Sequence, residues 1–204
     1  MIVVQKNDVA KGNWQVQPSG YTPNGCYEWL RGSVPKVEWC NAVWNKWSLP
    51  KHRFLFWLTA HNSLQTNNKL LRIGMDVDGQ CTICGCADET QQHLFFECAY
   101  SRRVLQAVKN GTGLILPETD VLQWCVQNPG LSVQRGVKNA LLTSCMYHVW
   151  HQRNNCRHEL VLMRPIKLAN MIIDDMKKRI RERDKSRMNT HELDWLGSLN
   201  FLSL

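Results

Sequence analysis

No apolar run in this 204-residue chain approaches the roughly 18 residues that a bilayer-spanning helix needs, because Lys, Arg or Asn interrupts each of the longest ones. A membrane-spanning protein is therefore not expected. Nothing near Met1 combines the basic start, apolar centre and small-residue cleavage site of a secretory signal. A reducing, intracellular compartment is expected instead, and a disulfide framework is not. The odd cysteine count, nine, points the same way. Internal repeats and low-complexity tracts are absent. So are a Ser/His/Asp arrangement, a phosphate-cradling glycine loop, a His-plus-carboxylate nuclease pattern and an Arg-Pro-Asp endonuclease motif, since Ile166 follows Arg164-Pro165. Acidic residues are scarce too, with 17 Asp and Glu against 25 Lys and Arg and a net charge of +8. Most of the excess sits in one segment: Lys177, Lys178, Arg179, Arg181, Arg183, Lys185 and Arg187 are diluted only by Glu182 and Asp184.

What is present is a metal spacing. Cys81, Cys84, His93 and Cys98 follow the order Cys-x2-Cys-x8-His-x4-Cys. A tight Cys-Thr-Ile-Cys turn presents two thiolates to one ion, and residues 85–92 are long enough to return a second pair of ligands. Soft thiolates with one imidazole suit zinc, and four protein ligands fill a tetrahedral sphere, so the expected ion is structural. Cys86 lies close enough to compete as a ligand or to sit beside the site as a reactive thiol. Cys26, Cys40, Cys125, Cys145 and Cys156 lack paired spacing and read as packing residues.

The surrounding pattern is mainly helical. Residues 1–24 read as an irregular N-terminal segment with one short strand over Trp14–Gln17. Trp39, Val43, Trp44 and Trp47 recur at helical spacing, and Pro50 then opens a second helix bearing Phe54, Trp57, Leu58 and His61. Such an aromatic stripe reads as core before it reads as a base-stacking platform, and His61 reads as a hydrogen-bonded core residue. A short helix over Asn67–Ile73 is capped by Thr66 and stopped by Gly74. Asp78-Gly79 turns the chain into the cysteine knuckle, Asp88 or Thr90 caps a short helix bearing His93, and Leu94, Phe95 and Phe96 pack on the preceding helices. Ser101 is the expected N-cap of a helix through Lys109 that Gly111-Thr-Gly ends. After Pro117 and the Pro129-Gly130 turn, helical spacing resumes from Val133 to Glu159, with an interruption at Arg153-Asn154-Asn155. A last helix, Pro165 to about Lys185, places Ile166, Ala169, Ile172, Ile173, Met176 and Ile180 on one side. Its basic end complements the helix dipole, and nucleic-acid contact is the sharper reading of the same charges.

The ordered set Trp39, Trp44, Pro50-Lys51, Phe54-x2-Trp57-Leu58, Leu64-x-Thr66 and Leu70-x3-Gly74 leads into Cys81-x2-Cys84, Glu89-Thr90, His93-Leu94-Phe95-Phe96 and Cys98. It resembles the zinc-binding region found downstream of the polymerase in plant non-LTR (LINE-type) retrotransposon reverse transcriptases. Tyr147-His148-Val149-Trp150-x2-Arg153-Asn154 resembles the segment that often follows, while Leu105 stands where the family usually has tryptophan. The resemblance implies a reverse transcriptase zinc-binding-like domain at 25–110, a linker at 111–132 and a helical C-terminal region at 133–204. The resulting fold class is mainly α, with a Cys-Cys-His-Cys zinc module followed by helices.

Polymerisation would need paired aspartates on a palm hairpin. The adjacent Asp174-Asp175 fall in a helical pattern with no palm-length sequence before them and read as surface carboxylates. Catalysis is not expected. The favoured function is a non-catalytic, zinc-stabilised domain that binds RNA or DNA through Lys177, Lys178, Arg179, Arg181, Arg183, Lys185 and Arg187, aided by Lys51, Arg53 and Arg102-Arg103. Retroelement proteins are further expected partners, and the basic cluster points to the nucleus. The alternatives are a zinc-stabilised helical protein-interaction module without nucleic-acid binding, and an enzyme fragment that works beside a polymerase supplied by another chain.

Overall fold

The computed structural model describes Gly32 and residues 37–118, 120–127 and 132–199. The irregular segment 1–24 with its expected strand, Cys26 and the Pro129-Gly130 turn lie outside the described residues. Residues 38–204 cluster as one unit, which contains every element below. Its regular elements, among the described residues, are all helical: α1 Cys40–Val43, α2 Pro50–Ala60, α3 Asn67–Arg72, a π-helical turn His93–Glu97, α4 Ala99–Thr112, α5 Val121–Gln127, α6 Ser132–Glu159, α7 Pro165–Arg181 and α8 Thr190–Gly197. The mainly α class with a Cys3His cluster is therefore what the structure has.

Local chemistry explains where helices start and stop. The helical period of Trp39, Val43, Trp44 and Trp47 does not survive as one helix, because the Asn45 side chain accepts the Trp47 amide at 3.1 Å and turns the backbone after α1. That turn separates the tryptophans. Trp47 is buried against Gly136 of α6, where a Cβ would run into its indole, while Trp44 is half exposed. Pro50 begins α2 as expected. His61 is exposed rather than core, because α2 has already ended at Ala60; its ring rests edge-on to Trp39 and tilted on Trp57.

Further along, α4 begins earlier than its expected Ser101 cap. Cys98 holds the N-cap position, and Ser101 lies inside the first turn, where its buried hydroxyl donates to the Leu94 carbonyl at 2.5 Å. Gly111 does not break α4 either. It allows close approach to α7, since a Cβ there would stand 2.6 Å from Ile173 Cδ1, and the helix stops only where Gly113 turns left-handed.

The body is built on two amphipathic faces. Tyr100, Val104, Leu105 and Val108 of α4 meet Leu168, Ala169, Ile172, Ile173, Met176 and Ile180 of α7, the most extensive helix contact in the unit. Ile166 is exposed in the first turn of α7, and Leu168 takes the inward place expected of it. The 28-residue α6 is about 42 Å long at 1.5 Å per residue and packs on both α2 and α7. Its Val137, Leu141, Leu142 and Val149 are buried, and each fully buried side chain of this kind contributes about 1.5–3 kcal/mol. The expected interruption at Arg153-Asn154-Asn155 is absent. Arg153 is a buried helical residue with partners on the far side of the knuckle. Two helices come without a sequence expectation, α5 and α8. The second is fixed by a capping box in which Asn189 Oδ1 accepts the Glu192 amide and the Glu192 carboxylate accepts the Asn189 amide.

Candidate metal centre

The four sulfur and nitrogen atoms of Cys81, Cys84, His93 and Cys98 all lie within 4.8 Å of one another, with Cys84 Sγ 3.3 Å from His93 Nε2. Residues 79–89 create the first half as a miniature hairpin. Gln80 and Asp88 bridge antiparallel, the Cys81 amide donates to Ala87 O at 2.7 Å, and the Glu89 amide donates to Gly79 O at 2.9 Å. Gly85, at φ +63°, makes the reversal that aims the Cys81 and Cys84 side chains to one side. Thr90 caps the second half: its hydroxyl accepts the His93 amide at 3.0 Å and starts the turn that carries the imidazole. Leu94, Phe95 and Phe96 are buried, and the turn packs on the following helices α4 and α6 more than on those before it.

The local electrostatics favour a thiolate at Cys98 and oppose one at Cys81 and Cys84. The hydrogen bond from Cys81, aided by the Ser101 and Tyr100 amides at the start of α4, holds Cys98 down at about 5. The same bond from the other side pushes Cys81 up, against the pull of the Cys84 and Ile83 amides. Burial raises Cys84, with the Cys86 amide pulling the other way. Three soft sulfurs and one imidazole gathered within 4.8 Å of one another fit a tetrahedral zinc ion, whose charge would hold all three thiols deprotonated and which would have no position left for substrate. Cys86 is exposed and outside this set, with its thiol donating to the Cys84 carbonyl at 2.9 Å. Of the other cysteines described, Cys125 and Cys145 are buried, Cys40 and Cys156 partly so.

A second cluster anchors the knuckle, and it is the part that sequence reasoning passes over. Glu89 is fully buried. Its Oε1 accepts Arg153 Nε at 3.0 Å, Arg153 Nη2 at 2.6 Å and the first amide of α3, Asn67 N–H, at 2.9 Å, while Oε2 accepts the Thr82 amide at 2.9 Å. Asn67 Oδ1 in turn accepts Arg153 Nη2 at 2.8 Å and Arg157 Nη1 at 2.7 Å. Burial pushes the Glu89 carboxyl up, but Arg153 and the two amides outweigh it and leave it below its ordinary value. Glu89 thus supplies the cap that Thr66 was expected to give α3, and ties the knuckle to α6. The signals available were a glutamate five residues past the Cys81 and Cys84 pair and an arginine on an apolar helix face.

The expected nucleic-acid residues are not one helical stripe. Because α7 ends at Arg181, Arg183, Lys185 and Arg187 follow it in non-helical chain. Lys177 is half-buried and lies 3.7 Å from Asp174, while Lys178, Arg181, Lys185 and Arg187 are exposed. Arg179 donates to the Trp47 and Lys46 carbonyls, and Arg183 lies over the Trp47 ring. Asp174 is exposed, but Asp175 is only half so and lies 3.6 Å from His148 Nε2.

Residues 21–104 match the family described as zinc-binding in reverse transcriptase. The chain is also similar to an uncharacterized mitochondrial protein of Arabidopsis thaliana, with 28% identity over 83 residues, covering 40% of this chain and 58% of that protein. It therefore spans little more than half the length of that relative. No solved structure matches it. The match takes in all four clustered ligands and does not extend to a catalytic domain. Family and donor set together identify a structural zinc centre.

Proposed function

We propose that this chain, whose residues 21–104 are similar to the zinc-binding region of reverse transcriptase, is a non-catalytic, nucleic-acid-binding piece of a retrotransposon protein of the LINE type. The observation that carries the reading is the closed Cys81, Cys84, His93 and Cys98 cluster within the matched segment. A fourfold protein-ligated ion organises a fold and leaves no site for chemistry. The partner is RNA or DNA, supported by a net charge of +8 that is concentrated near the end of α7. Retroelement proteins and a nuclear location belong to the same reading.

Titration of labelled RNA and DNA at rising salt tests it. Affinity should fall with a log–log slope of about 0.9 per phosphate contacted on duplex DNA and about 0.7 on single strands. Absence of binding at low salt, or binding indifferent to salt, would leave the zinc-stabilised protein-interaction module as the surviving function.

A further inference from the structure

We propose that the guanidinium groups of Arg53, Arg179 and Arg183, gathered around residues 46–48, form the docking surface for the phosphates of a single-stranded nucleic acid. The inference rests on the nucleic-acid reading above and says where the strand lies and which kind of strand it is. Arg53 comes from α2, Arg179 from α7 and Arg183 from the chain just beyond it. Arg53 Nε donates to Ser48 O at 3.0 Å, Arg179 Nε to Trp47 O at 3.2 Å and Arg179 Nη2 to Lys46 O at 3.1 Å; the Arg183 guanidinium lies 5.6 Å from the centre of the Trp47 ring. All three therefore sit on one short segment whose central tryptophan is buried.

No ion pair joins any of the three to a carboxylate among the described residues. The acid next in sequence, Asp184, accepts the Ser186 amide and feels Arg183 only weakly. Like charges brought together without an ion-paired acid are an unfavourable arrangement in the free protein. Arg53 records this: burial first, then Arg179 and Arg183, lower its affinity for its own proton. A bound polyanion relieves it. Anchoring through Nε leaves both Nη groups of Arg53 without partners among the described residues, in a planar fork suited to phosphate. The strand is single because the neighbour of Arg53 is an aromatic. Phe54, the next residue of α2, is more than half exposed and stacks on Trp57 with ring centres 5.9 Å apart, and an exposed ring on the helix that supplies Arg53 engages unpaired bases, which a duplex keeps stacked inside.

Fluorescence anisotropy of the full chain with labelled single-stranded RNA and DNA, and with duplex, tests the assignment. Replacing Arg53, Arg179 and Arg183 together with Gln should weaken single-strand binding about ten-fold or more and reduce the salt slope by about 2, or 0.7 for each phosphate lost. Replacing Lys178, Lys185 and Arg187 with Gln should have a smaller effect, and Phe54→Ala should weaken single strands but not duplex. Arg183→Gln alone gives up only a ring contact, so it decides the matter should the triple variant not fold: a slope lower by about 0.7 is expected. A folded cluster variant that binds like the unaltered chain, or a distal variant that loses as much, would overturn the assignment while leaving nucleic-acid binding intact. Duplex binding as tightly as single strands would overturn the choice of strand. Failure of the unaltered chain to bind any of these probes removes the wider reading with it.

Discussion

The knuckle of residues 79–98 and the helical body around it are held by different forces. In the body, α4, α6 and α7 bury long apolar faces, and Gly111 lets two of them close to contact distance. The knuckle has Cys81, Leu94, Phe95 and Phe96 as its inward apolar groups, one isolated bridge and three thiols crowded beside an imidazole. An apolar face loses stability in proportion to the area removed, so one missing group costs only a fraction of what the whole face contributes. A knuckle with so little area depends on its ion and on the buried Glu89 and Arg153 ion pair that joins it to the body.

The largest test of that contrast is removal of zinc. Cys81→Ser, Cys84→Ser, His93→Ala or Cys98→Ser should each forfeit much of an apparent metal-binding free energy of about 10 to 16 kcal/mol, which in small zinc modules is also folding free energy. Native mass spectrometry should show the zinc lost, while far-UV circular dichroism keeps most of the helical signal of the body. A stably folded knuckle free of zinc would erase the distinction between the regions.

Next in size is Arg153→Met. It leaves Glu89 charged and buried without its partner, a change that costs about 3–5 kcal/mol at such sites. The signature is coupling: urea unfolding should show the loss, and Glu89→Gln in the same chain should recover part of it. An equal cost in both backgrounds would mean that the two side chains act independently.

Within the body, the expected response is to acid. His52 is buried between α2 and α6 and faces Lys51, Tyr147 and His148, with Asp175 of α7 and His151 around the latter. Burial first, then the charges of His148 and Lys51, push it from its ordinary 6.5 down to about 3. Between those values the unfolded chain binds the extra proton, so stability falls as pH drops from about 6.5 and levels off below about 3. His148 adds to the slope, since burial lowers it too, against the pull of Asp175. The urea midpoint of the unaltered chain should drop relative to that of His52→Phe as pH falls through this window. A constant difference between them would show that His52 keeps its proton equilibrium on folding. The smallest expected effect is that of Cys86→Ser, which should leave both zinc content and midpoint unchanged because Cys86 is exposed and outside the ligand set.

The contrast also sorts what could be read from the chain alone. Ligands within 18 positions of one another are constrained by a short tether, so the spacing of Cys81, Cys84, His93 and Cys98 carries their geometry almost directly. Amphipathic periodicity did the same for α4 and α7. Illegible features were those decided by distant partners or by one side chain's local competition. Glu89 finds Arg153 at a separation of 64 residues, which makes an apparent helix break into a buried anchor. Asn45 turns the backbone between Trp44 and Trp47, so two tryptophans of one apparent stripe end on opposite sides of the surface. The Asn189 and Glu192 box was readable in principle, being a local motif, and needed only a continuous helical stretch to be sought beyond the basic segment.

The reach of Glu89 also bears on how such a region can be moved between proteins. The stretch that matches the family closes at residue 104, yet the guanidinium that neutralises its buried carboxylate is at Arg153. The matched stretch and the folding unit therefore have different ends. A fragment cut at the boundary of resemblance would carry all four zinc ligands and still expose an acid built to be enclosed. A transplant that keeps α6 takes along the counter-charge the knuckle was shaped around.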